Sequence, residues 1–412
     1  MTRISKLAVV SFVLVFGVSQ TASAQSGPSK GTLVLEGGAA MPVPEVAQRF
    51  GALAGGANGH VVLVPTAADD GLITPEALKR ITESLKQLFG VQDLVVVHTR
   101  DRKTADSEEF VASLKRATGI WFSGGKAGQL VEPYLGTRTQ REFDAILQRG
   151  GVIGGDSAGA MVMGTLLLHG ATTSGSTQII VPGRDHGFGF LKNVAVNAHV
   201  VQRSEEEQLA AVVGENPTVL GIGLDAKAGI VVTGDEFEVT GRSIVLVTDG
   251  KSHNGASYLE LIPGDRYNMK TRVATLLPPE KRREVEARPE ITHRGPAVSR
   301  ELEGDWQASV EPPDGPALQY ILHVKNLPEH TVLAKLQVIE PTSKRSGPTI
   351  TFSNIKQDGR QVEFIAWGGE MTQPLIKGTL NQDGTEISGF LIARTQVPLT
   401  LKKIKATPAP GR

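Results

Sequence analysis

The chain has 412 residues, none of them cysteine, and its 43 basic side chains balance 43 acidic ones. The lack of cysteine excludes disulfide bonds, thiolate metal sites and a cysteine nucleophile. The balanced charge leaves no overall field that would attract nucleic acid or an anionic membrane. The nine histidines show no His-Glu-x-x-His motif or similar paired spacing, so the sequence predicts no metal ion and no other cofactor.

Residues 1–24 have the pattern of a secretory signal peptide. A basic start precedes an apolar run over residues 7–18, and Ala22-Ser23-Ala24 forms an A-x-A cleavage site before Gln25. The apolar run is shorter than the roughly 20 residues that a membrane-spanning helix needs. We therefore expect cleavage near Ala24, no permanent membrane anchor, and a secreted or periplasmic protein.

Between residues 31 and 250, runs rich in Val and Ile alternate with helix-compatible segments. The predicted strands are 32–35, 61–65, 94–98, 119–122, 151–153, 194–196, 221–224 and 230–232. The predicted helices are 43–54, 74–89, 107–117, 139–148, 158–168 and 204–213. This alternation is typical of a doubly wound α/β domain, a mostly parallel sheet with helices on both faces, here over residues 28–275. Such sheets bind ligands beyond the carboxyl ends of their strands.

The pattern changes near residue 275. Residues 276–300 are charged, proline-bearing and aperiodic, which is typical of a linker. Residues 301–405 read as short alternating strands with Asp-Gly turns at 358–359 and 383–384, so they predict an all-β domain, a sandwich or a barrel. We expect Trp306, Tyr320 and Trp367 in its core, with a polymer-binding aromatic face as the alternative.

Residues 152–163 have the form of a nucleophile elbow. An apolar run leads into Gly-Asp-Ser-Ala-Gly at 155–159, and a helix-like stretch follows. In this motif the serine stands on a sharp strand-to-helix turn, where Gly155 and Gly159 are needed because a Cβ would collide with neighbouring backbone. The motif predicts a nucleophile at Ser157 and an oxyanion donor in the N–H of Ala158. A tight structural turn is the alternative interpretation.

A serine hydroxyl needs a base to remove its proton. His199 is the first candidate, because it follows the predicted strand 194–196 at the functional edge of the sheet. His186 stands in a glycine-flanked loop and is the second candidate, while His169 is expected to cap the helix after the elbow. The glycine-rich strand end at 121–126 can bring a second backbone donor near the serine, or it can be an ordinary turn.

Six segments in order resemble the cyanophycinase and dipeptidase E family of serine peptidases, whose fold is shared by class I glutamine amidotransferase domains. The segments are 35–38, 64–67, 122–125, 155–160, His199 with Arg203, and 221–225. The resemblance covers about residues 30 to 275. It implies that Ser157 is the nucleophile, that His199 is the base, and that the N–H groups of Gly125 and Ala158 form the oxyanion hole.

The resemblance also implies a substrate class. Cyanophycinases cut a poly-aspartate polymer bearing arginine, and dipeptidase E prefers an N-terminal aspartate, so a peptide or aspartyl polymer cut next to an aspartyl group is expected. Arg203 would hold an acidic group of the substrate. The substrate is also expected to contact Lys126, Asp156 and Asn197. Whether the protein forms a homodimer is left open by the sequence.

The chain departs from the family pattern at the triad acid. Ala226 stands where the family has a glutamate, and Lys126-Ala127 and Asn197-Ala198 replace Asp-Gln pairs. Asp225 is the nearest acid and is the expected third member, although neighbours on an extended segment point to opposite faces. The glutamates at 205–207 are expected to form a solvated first helical turn, with a contact to His199 as the alternative.

Three other protein classes compete with the peptidase. A catalytically weak or silent binding protein could keep the elbow as scaffold, since losing the triad acid costs on the order of 10⁴ in rate. An α/β-hydrolase esterase shares the elbow, but there the acid precedes the histidine and a His-Gly-Gly type motif lies upstream. Neither feature is evident here. A glutamine amidotransferase needs a cysteine nucleophile, which this chain lacks.

Overall fold

The fold is described from a computed structural model of the chain. It describes residues 25–172, 179–203, 205–253, 256–288, 299, 301–310, 317–326, 332–339, 346–366, 373–392 and 396–404. The expected signal peptide lies outside these residues. Among the helices that are described, none combines the length and the apolar character needed to cross a membrane.

Strands and helices alternate up to α7, and a run of strands follows before the last helix, α8. The strands are β1 (Thr32–Glu36), β2 (His60–Val64), β3 (Asp93–Val96), β4 (Gly119–Phe122), β5 (Val152–Asp156), β6 (Gly164–Leu166), β7 (Leu191–Ala198), β8 (Leu220–Leu224), β9 (Ala228–Thr233), β10 (Glu236–Gly241), β11 (Val245–Thr248), β12 (Leu259–Leu261), β13 (Arg266–Asn268) and β14 (Val273–Thr275). The helices are α1 (Pro44–Leu53), α2 (Pro75–Phe89), α3 (Arg102–Ala105), α4 (Ala127–Tyr134), α5 (Arg138–Gln148), α6 (Ala158–Met161), α7 (Glu206–Glu215) and α8 (Pro279–Glu286). Single 3₁₀ turns occur at Gly56–Asn58, Asp70–Leu72 and Leu114–Arg116.

The larger sheet has β1 at its centre. In the described chain it contains nine strands in the order β14-β13-β10-β9-β1-β5-β4-β2-β3. The five strands from β1 to β3 run parallel, whereas β9 pairs antiparallel with β1. Alternate residues of β1 enter different cores: Leu33 and Leu35 pack in one, and Val34 packs with Phe50 and Trp121 in the other. Both faces of the sheet are therefore buried, and the expected fold class is confirmed.

The strands predicted at 194–196 and 221–224 belong to a second sheet. Over the residues described, this sheet has the order β12-β11-β8-β7-β6, with β6, β7 and β8 parallel. Only residues 225–227 separate β8 from β9. Both sides of β8 are already paired, with β7 and β11, and β9 pairs antiparallel with β1 in the larger sheet. Apolar runs in the sequence do not encode this change of sheet.

Four predicted helices are confirmed with small shifts, as α1, α2, α5 and α7, and two predictions are wrong. The helix predicted at 107–117 is not formed: the segment consists of turns and the single 3₁₀ turn at Leu114–Arg116. Within the segment, the Ser107 hydroxyl oxygen accepts from the Phe110 N–H at 3.3 Å, a local side-chain bond that competes with helical backbone pairing. The helix predicted at 158–168 ends at Met161, because the carbonyls of Val162 and Met163 accept from the N–H groups of Phe188 and Leu191.

The segment predicted as a linker contains α8, so it is not structureless over its first half. Helix α8 is tied to the α/β region by Arg282, whose guanidinium donates to the fully buried Asp265 carboxylate at 2.6 Å. Residues 289–298 lie outside the described residues. The sequence shows no helical spacing of apolar residues here, because Val285 is the one residue of α8 that is buried.

The C-terminal strands form a barrel, one of the two expected architectures. They are β15 (Gly304–Val310), β16 (Leu318–Asn326), β17 (Val332–Ile339), β18 (Ser346–Asp358), β19 (Gln361–Ala366), β20 (Gln373–Leu380), β21 (Glu386–Ile392) and β22 (Gln396–Lys403). In the part described, each pairs antiparallel with the next, and β22 closes on β15. Gly359 and Gly384 take positive φ at the two predicted Asp-Gly turns.

The barrel interior is a packed apolar core. Trp306 is fully buried, with its indole N–H on the Leu302 carbonyl at 2.9 Å, and Tyr320 is partly buried against the same core. Trp306 is therefore a core residue, as expected. Trp367 lies outside the described residues.

Candidate active site

Ser157 stands on the sharp turn that the sequence predicts. It falls between β5 and α6 with φ 50° and ψ −116°, a backbone conformation that costs a non-glycine residue energy. A Cβ on Gly159 would lie 2.1 Å from the Phe122 carbonyl oxygen, and one on Gly155 would lie 2.8 Å from the Gly159 carbonyl. The two glycines therefore allow the close backbone packing that holds the strained serine in place.

His199 is the histidine that reaches the serine. It directly follows β7, and its Nε2 lies 2.9 Å from Ser157 Oγ. The two side chains meet beside Gly38, where a Cβ would lie 2.7 Å from His199 Nε2 and 2.9 Å from Ser157 Cβ. His186 is exposed and bonds to Asp185, as expected of a loop histidine. Gly38 belongs to the site because its missing side chain leaves room for the imidazole.

The imidazole of His199 is suited to act as a base. Only 6% of the residue is exposed. This burial, helped by the positive charge of Arg203 and opposed by the negative charge of Glu205, lowers its pKa to about 4. The ring is therefore neutral at pH 7 and can accept a proton from the hydroxyl.

Two backbone N–H groups beside the serine have no acceptor. Within the described part of the chain, the amides of Gly125 and Ala158 donate no hydrogen bond, whereas the N–H of Lys126 donates to the Ala67 carbonyl at 2.8 Å. Gly125 has φ 141°, and a Cβ there would lie 2.2 Å from the Ala67 oxygen. Open donors near a nucleophile are the arrangement that stabilises a developing oxyanion.

Asp156 turns into the protein. Its Oδ1 accepts from the Trp121 indole N–H at 2.9 Å and its Oδ2 accepts from the Gly124 N–H at 3.0 Å. Burial raises the pKa of this carboxyl to about 6. We expected Asp156 to contact substrate; instead, both of its oxygens accept bonds from protein groups.

Asp225, the expected triad acid, follows β8 and is fully buried. Its Oδ2 accepts from the Ser243 hydroxyl. Its backbone packs on Gly37, where a Cβ would lie 2.0 Å from the Asp225 carbonyl oxygen. Gly37 and Gly38 thus separate the backbone of Asp225 from the serine and the imidazole. The role of Asp225 stays a prediction.

Glu205 was expected to be solvated, and this expectation is wrong. Its Oε2 accepts from His169 Nε2 and from Asn197 Nδ2, both at 3.0 Å. Burial alone would raise the pKa of Glu205, but the hydrogen bond and charge of His169, with the charge of Arg203, lower it. His169 therefore binds a carboxylate rather than capping a helix. Glu206 is also buried; the exposed member of the run is Glu207, which bonds to Ser257.

Arg203 and Lys126 bring positive charge to the site. The Arg203 N–H donates to the His199 carbonyl at 2.9 Å, and burial lowers the pKa of its guanidinium. Within the described residues this guanidinium makes no hydrogen bond or ion pair. Lys126 forms an ion pair with Asp69. Asn197 is fully buried, so its contact is with Glu205.

Sequence reasoning assigned no role to Glu36 or Trp121. Glu36 ends β1 beside Asp156, and its carbonyl accepts the Ser157 N–H at 2.9 Å. The sequence signal that could have pointed to Glu36 is its place directly before two glycines at the end of a predicted strand. No group of three or more His, Asp or Glu side chains in the described chain is arranged to hold a metal ion.

An elbow serine, a neutral imidazole on its hydroxyl and two open amides together define a serine hydrolase site. The sequence model of peptidase family S51 matches residues 33–240, about half of the chain. The chain therefore belongs to peptidase family S51 and is a serine-type peptidase.

Similar proteins carry related names. A cyanophycinase of Geminocystis herdmanii (strain PCC 6308) is 28% identical over 246 residues, which cover 55% of this chain and 89% of that protein. A cyanophycinase of Synechococcus elongatus is 26% identical over 285 residues, covering 64% and 87%. The crystal structure of a peptidase from an acI-B1 actinobacterium is 25% identical, covers 59% of this chain and 98% of its own, and has a TM-score of 0.46.

Proposed function

We propose that this peptidase cleaves an amide bond next to an aspartyl group through an acyl-enzyme on Ser157. The observation that carries the proposal is the 2.9 Å contact between Ser157 Oγ and a buried, neutral His199 imidazole. A hydroxyl in this contact can lose its proton as it attacks, which a bare serine cannot do at neutral pH.

Each step of the proposed reaction uses one of these groups. His199 Nε2 takes the hydroxyl proton while Ser157 Oγ bonds to the carbonyl carbon, and the negative oxygen is bound by the N–H groups of Gly125 and Ala158. The C–N bond then breaks, and the leaving amine receives the proton from His199. Water, deprotonated by the same imidazole, attacks the ester, releases the acid and restores the Ser157 hydroxyl.

Arg203 supports an acidic substrate. Its guanidinium is partly buried near His199, and its hydrogen-bond donors are unused within the described chain. The charge of Glu205 acts on this guanidinium but does not bond to it, and a substrate carboxylate would supply the hydrogen-bonded partner. The similarity to proteins named cyanophycinase also supports an acidic substrate. Peptides and polymers with free aspartyl carboxylates are therefore the substrates that we propose.

The triad acid has two candidates. Asp225 remains our proposal, as the acid nearest in sequence to the position of the family glutamate. Glu205 is the second candidate, favoured because its charge raises the pKa of His199. Its anchors His169 and Asn197 hold it at a fixed place near the imidazole.

We also propose that the protein is secreted or periplasmic, on the pattern of residues 1–24. Fractionation of expressing cells, with N-terminal sequencing, tests this. A mature chain beginning at Gln25 supports it, and a cytoplasmic chain that still begins at Met1 contradicts it.

A substrate panel tests the activity. The protein is incubated with aspartyl dipeptides, matched glutamyl and alanyl dipeptides, and cyanophycin, and products are identified by mass. We expect aspartyl substrates to be cut by the wild type and not by Ser157→Ala. If a fluorophosphonate probe fails to label the wild-type protein at Ser157, the silent binding protein is the correct interpretation instead.

A further inference from the structure

We infer that Asp156 is a positioning residue that fixes the Gly125 amide relative to Ser157. This inference rests on the proposed function, because it concerns the oxyanion hole of that reaction. Asp156 directly precedes the serine, and its carboxylate bonds to the strand end and loop that carry Gly125. One side chain thus connects the nucleophile to a donor that lies about thirty residues earlier in the chain.

One end of this connection is rigid. The Trp121 indole, which donates to Asp156 Oδ1, is 1% exposed. Its ring packs edge-on against Phe50, with centroids 5.0 Å apart, and against Phe89 at 5.1 Å. Because neighbours surround it on both sides, the indole N–H holds the carboxylate in one orientation.

The other end holds the glycine loop. The Gly124 N–H donates to Asp156 Oδ2 at 3.0 Å, and the Lys126 N–H donates to the Ala67 carbonyl at 2.8 Å. Gly125 lies between these two attachments, and its own N–H has no acceptor within the described chain. Releasing Gly124 would free the peptide units on either side of it, and the Gly125 N–H would lose its fixed direction.

The chemistry of the two donors requires a carboxylate. An asparagine at this position offers one acceptor oxygen and one NH₂ group, so it would place a donor against either the indole N–H or the Gly124 N–H. The ionised form is costly here, since burial disfavours it and the fully buried Glu36 faces it from β1. A charge kept at this cost, directly beside the nucleophile, points to a role in the reaction.

Labelling kinetics test the inference without knowledge of the natural substrate. A fluorophosphonate probe reacts when Ser157 Oγ bonds to phosphorus, fluoride leaves and His199 takes the proton, while the phosphoryl oxygen occupies the oxyanion hole. The maximal labelling rate kinact and the half-saturating concentration KI are measured by intact mass. Losing one oxyanion donor costs about 10²–10³ in rate, so for D156N we expect kinact about 10 to 100-fold lower, with KI changed less than about threefold.

The matched control is D144N, which makes the same change at an exposed aspartate on α5, away from the site. We expect it to label at the wild-type rate. If the wild type and D156N label equally fast, the inference fails while the proposed function stands. If the wild type does not label at all, the proposed function fails.

A second measurement covers the case in which D156N does not fold. In the wild-type protein with ¹⁵N-labelled glycine, the Gly124 amide resonance should move as Asp156 titrates with a pKa of about 6. Glu36 faces Asp156, and burial raises the pKa of its carboxyl as well, so E36Q is recorded in parallel to assign the step. A Gly124 resonance that does not change between pH 5 and pH 8 would overturn the inference.

Discussion

Ser157 and His199 touch although they follow strands of different sheets. Ser157 follows β5 in the larger sheet and His199 follows β7 in the second one, and their side chains meet at 2.9 Å beside Gly38. Each residue has a positive φ, 50° and 57° respectively. Two strained turns therefore aim the hydroxyl and the imidazole at each other, which is characteristic of a site held for reaction rather than for stability.

The first prediction concerns the nucleophile. Ser157→Ala removes the attacking oxygen, so we expect turnover to fall by on the order of 10⁴ or more. The midpoint of thermal unfolding should stay nearly unchanged, because the backbone bonds of the turn do not involve Oγ. Hydrolysis assays and calorimetry on the same preparation check both statements. Activity that survives in this variant would rule out the mechanism.

The second prediction separates the two candidate acids. If Asp225 completes the triad, D225N should lower kcat by on the order of 10⁴. E205Q removes a charge that raises the pKa of His199, so that pKa should fall further and the imidazole should become a weaker base. Because one pKa unit corresponds to about 1.4 kcal/mol of proton affinity, we expect the rate to fall by at most about tenfold per unit. E207Q, at an exposed glutamate of the same run, is the control. A larger loss in E205Q than in D225N would transfer the role to Glu205.

The third prediction concerns pH. His199, with a pKa of about 4, is already neutral at pH 5, whereas Asp156, with a pKa of about 6, is still largely protonated there. Protonation places a hydrogen on one oxygen of Asp156 and removes the negative charge, which weakens the two hydrogen bonds that the carboxylate accepts. The wild-type labelling rate should therefore rise with pH through about 6, while in D156N the rise should move toward pH 4 at a lower plateau. Coincident profiles would refute this assignment.

The fourth prediction concerns substrate charge. Arg203→Gln removes the guanidinium proposed to hold a substrate carboxylate, and a hydrogen bond to a charged group is worth about 1.5–3 kcal/mol. We expect KM for aspartyl peptides to rise by about tenfold or more, and hydrolysis of a neutral ester to change little. R266Q, at an exposed arginine of β13, is the control. An equal effect on both substrates would argue against carboxylate binding.

The sequence revealed the parts of the site that depend on local sterics. The elbow at Ser157 was predicted because its glycines are needed for backbone contact, and His199 was found because it follows a buried strand. Such signals depend on a few adjacent residues, so they can be recognised in a single sequence without the structure.

The remaining parts depend on contacts between distant residues. The burial of Glu205 requires His169 and Asn197, and the inward turn of Asp156 requires Trp121, 35 residues away. The change of sheet between β8 and β9 likewise follows from pairing partners and not from an apolar pattern. Helix propensity at 158–168 was overridden in the same way, by backbone bonds to residues 188 and 191.

Because the hydroxyl and the imidazole come from separate sheets, neither sheet alone carries a reactive centre. Loosening the packing between them would part the two groups before either strand lost its own ladder of hydrogen bonds. Heat inactivation should thus accompany, or slightly precede, the cooperative melting of the α/β region, and residual hydrolysis becomes a sensitive gauge of whether the two layers are still docked.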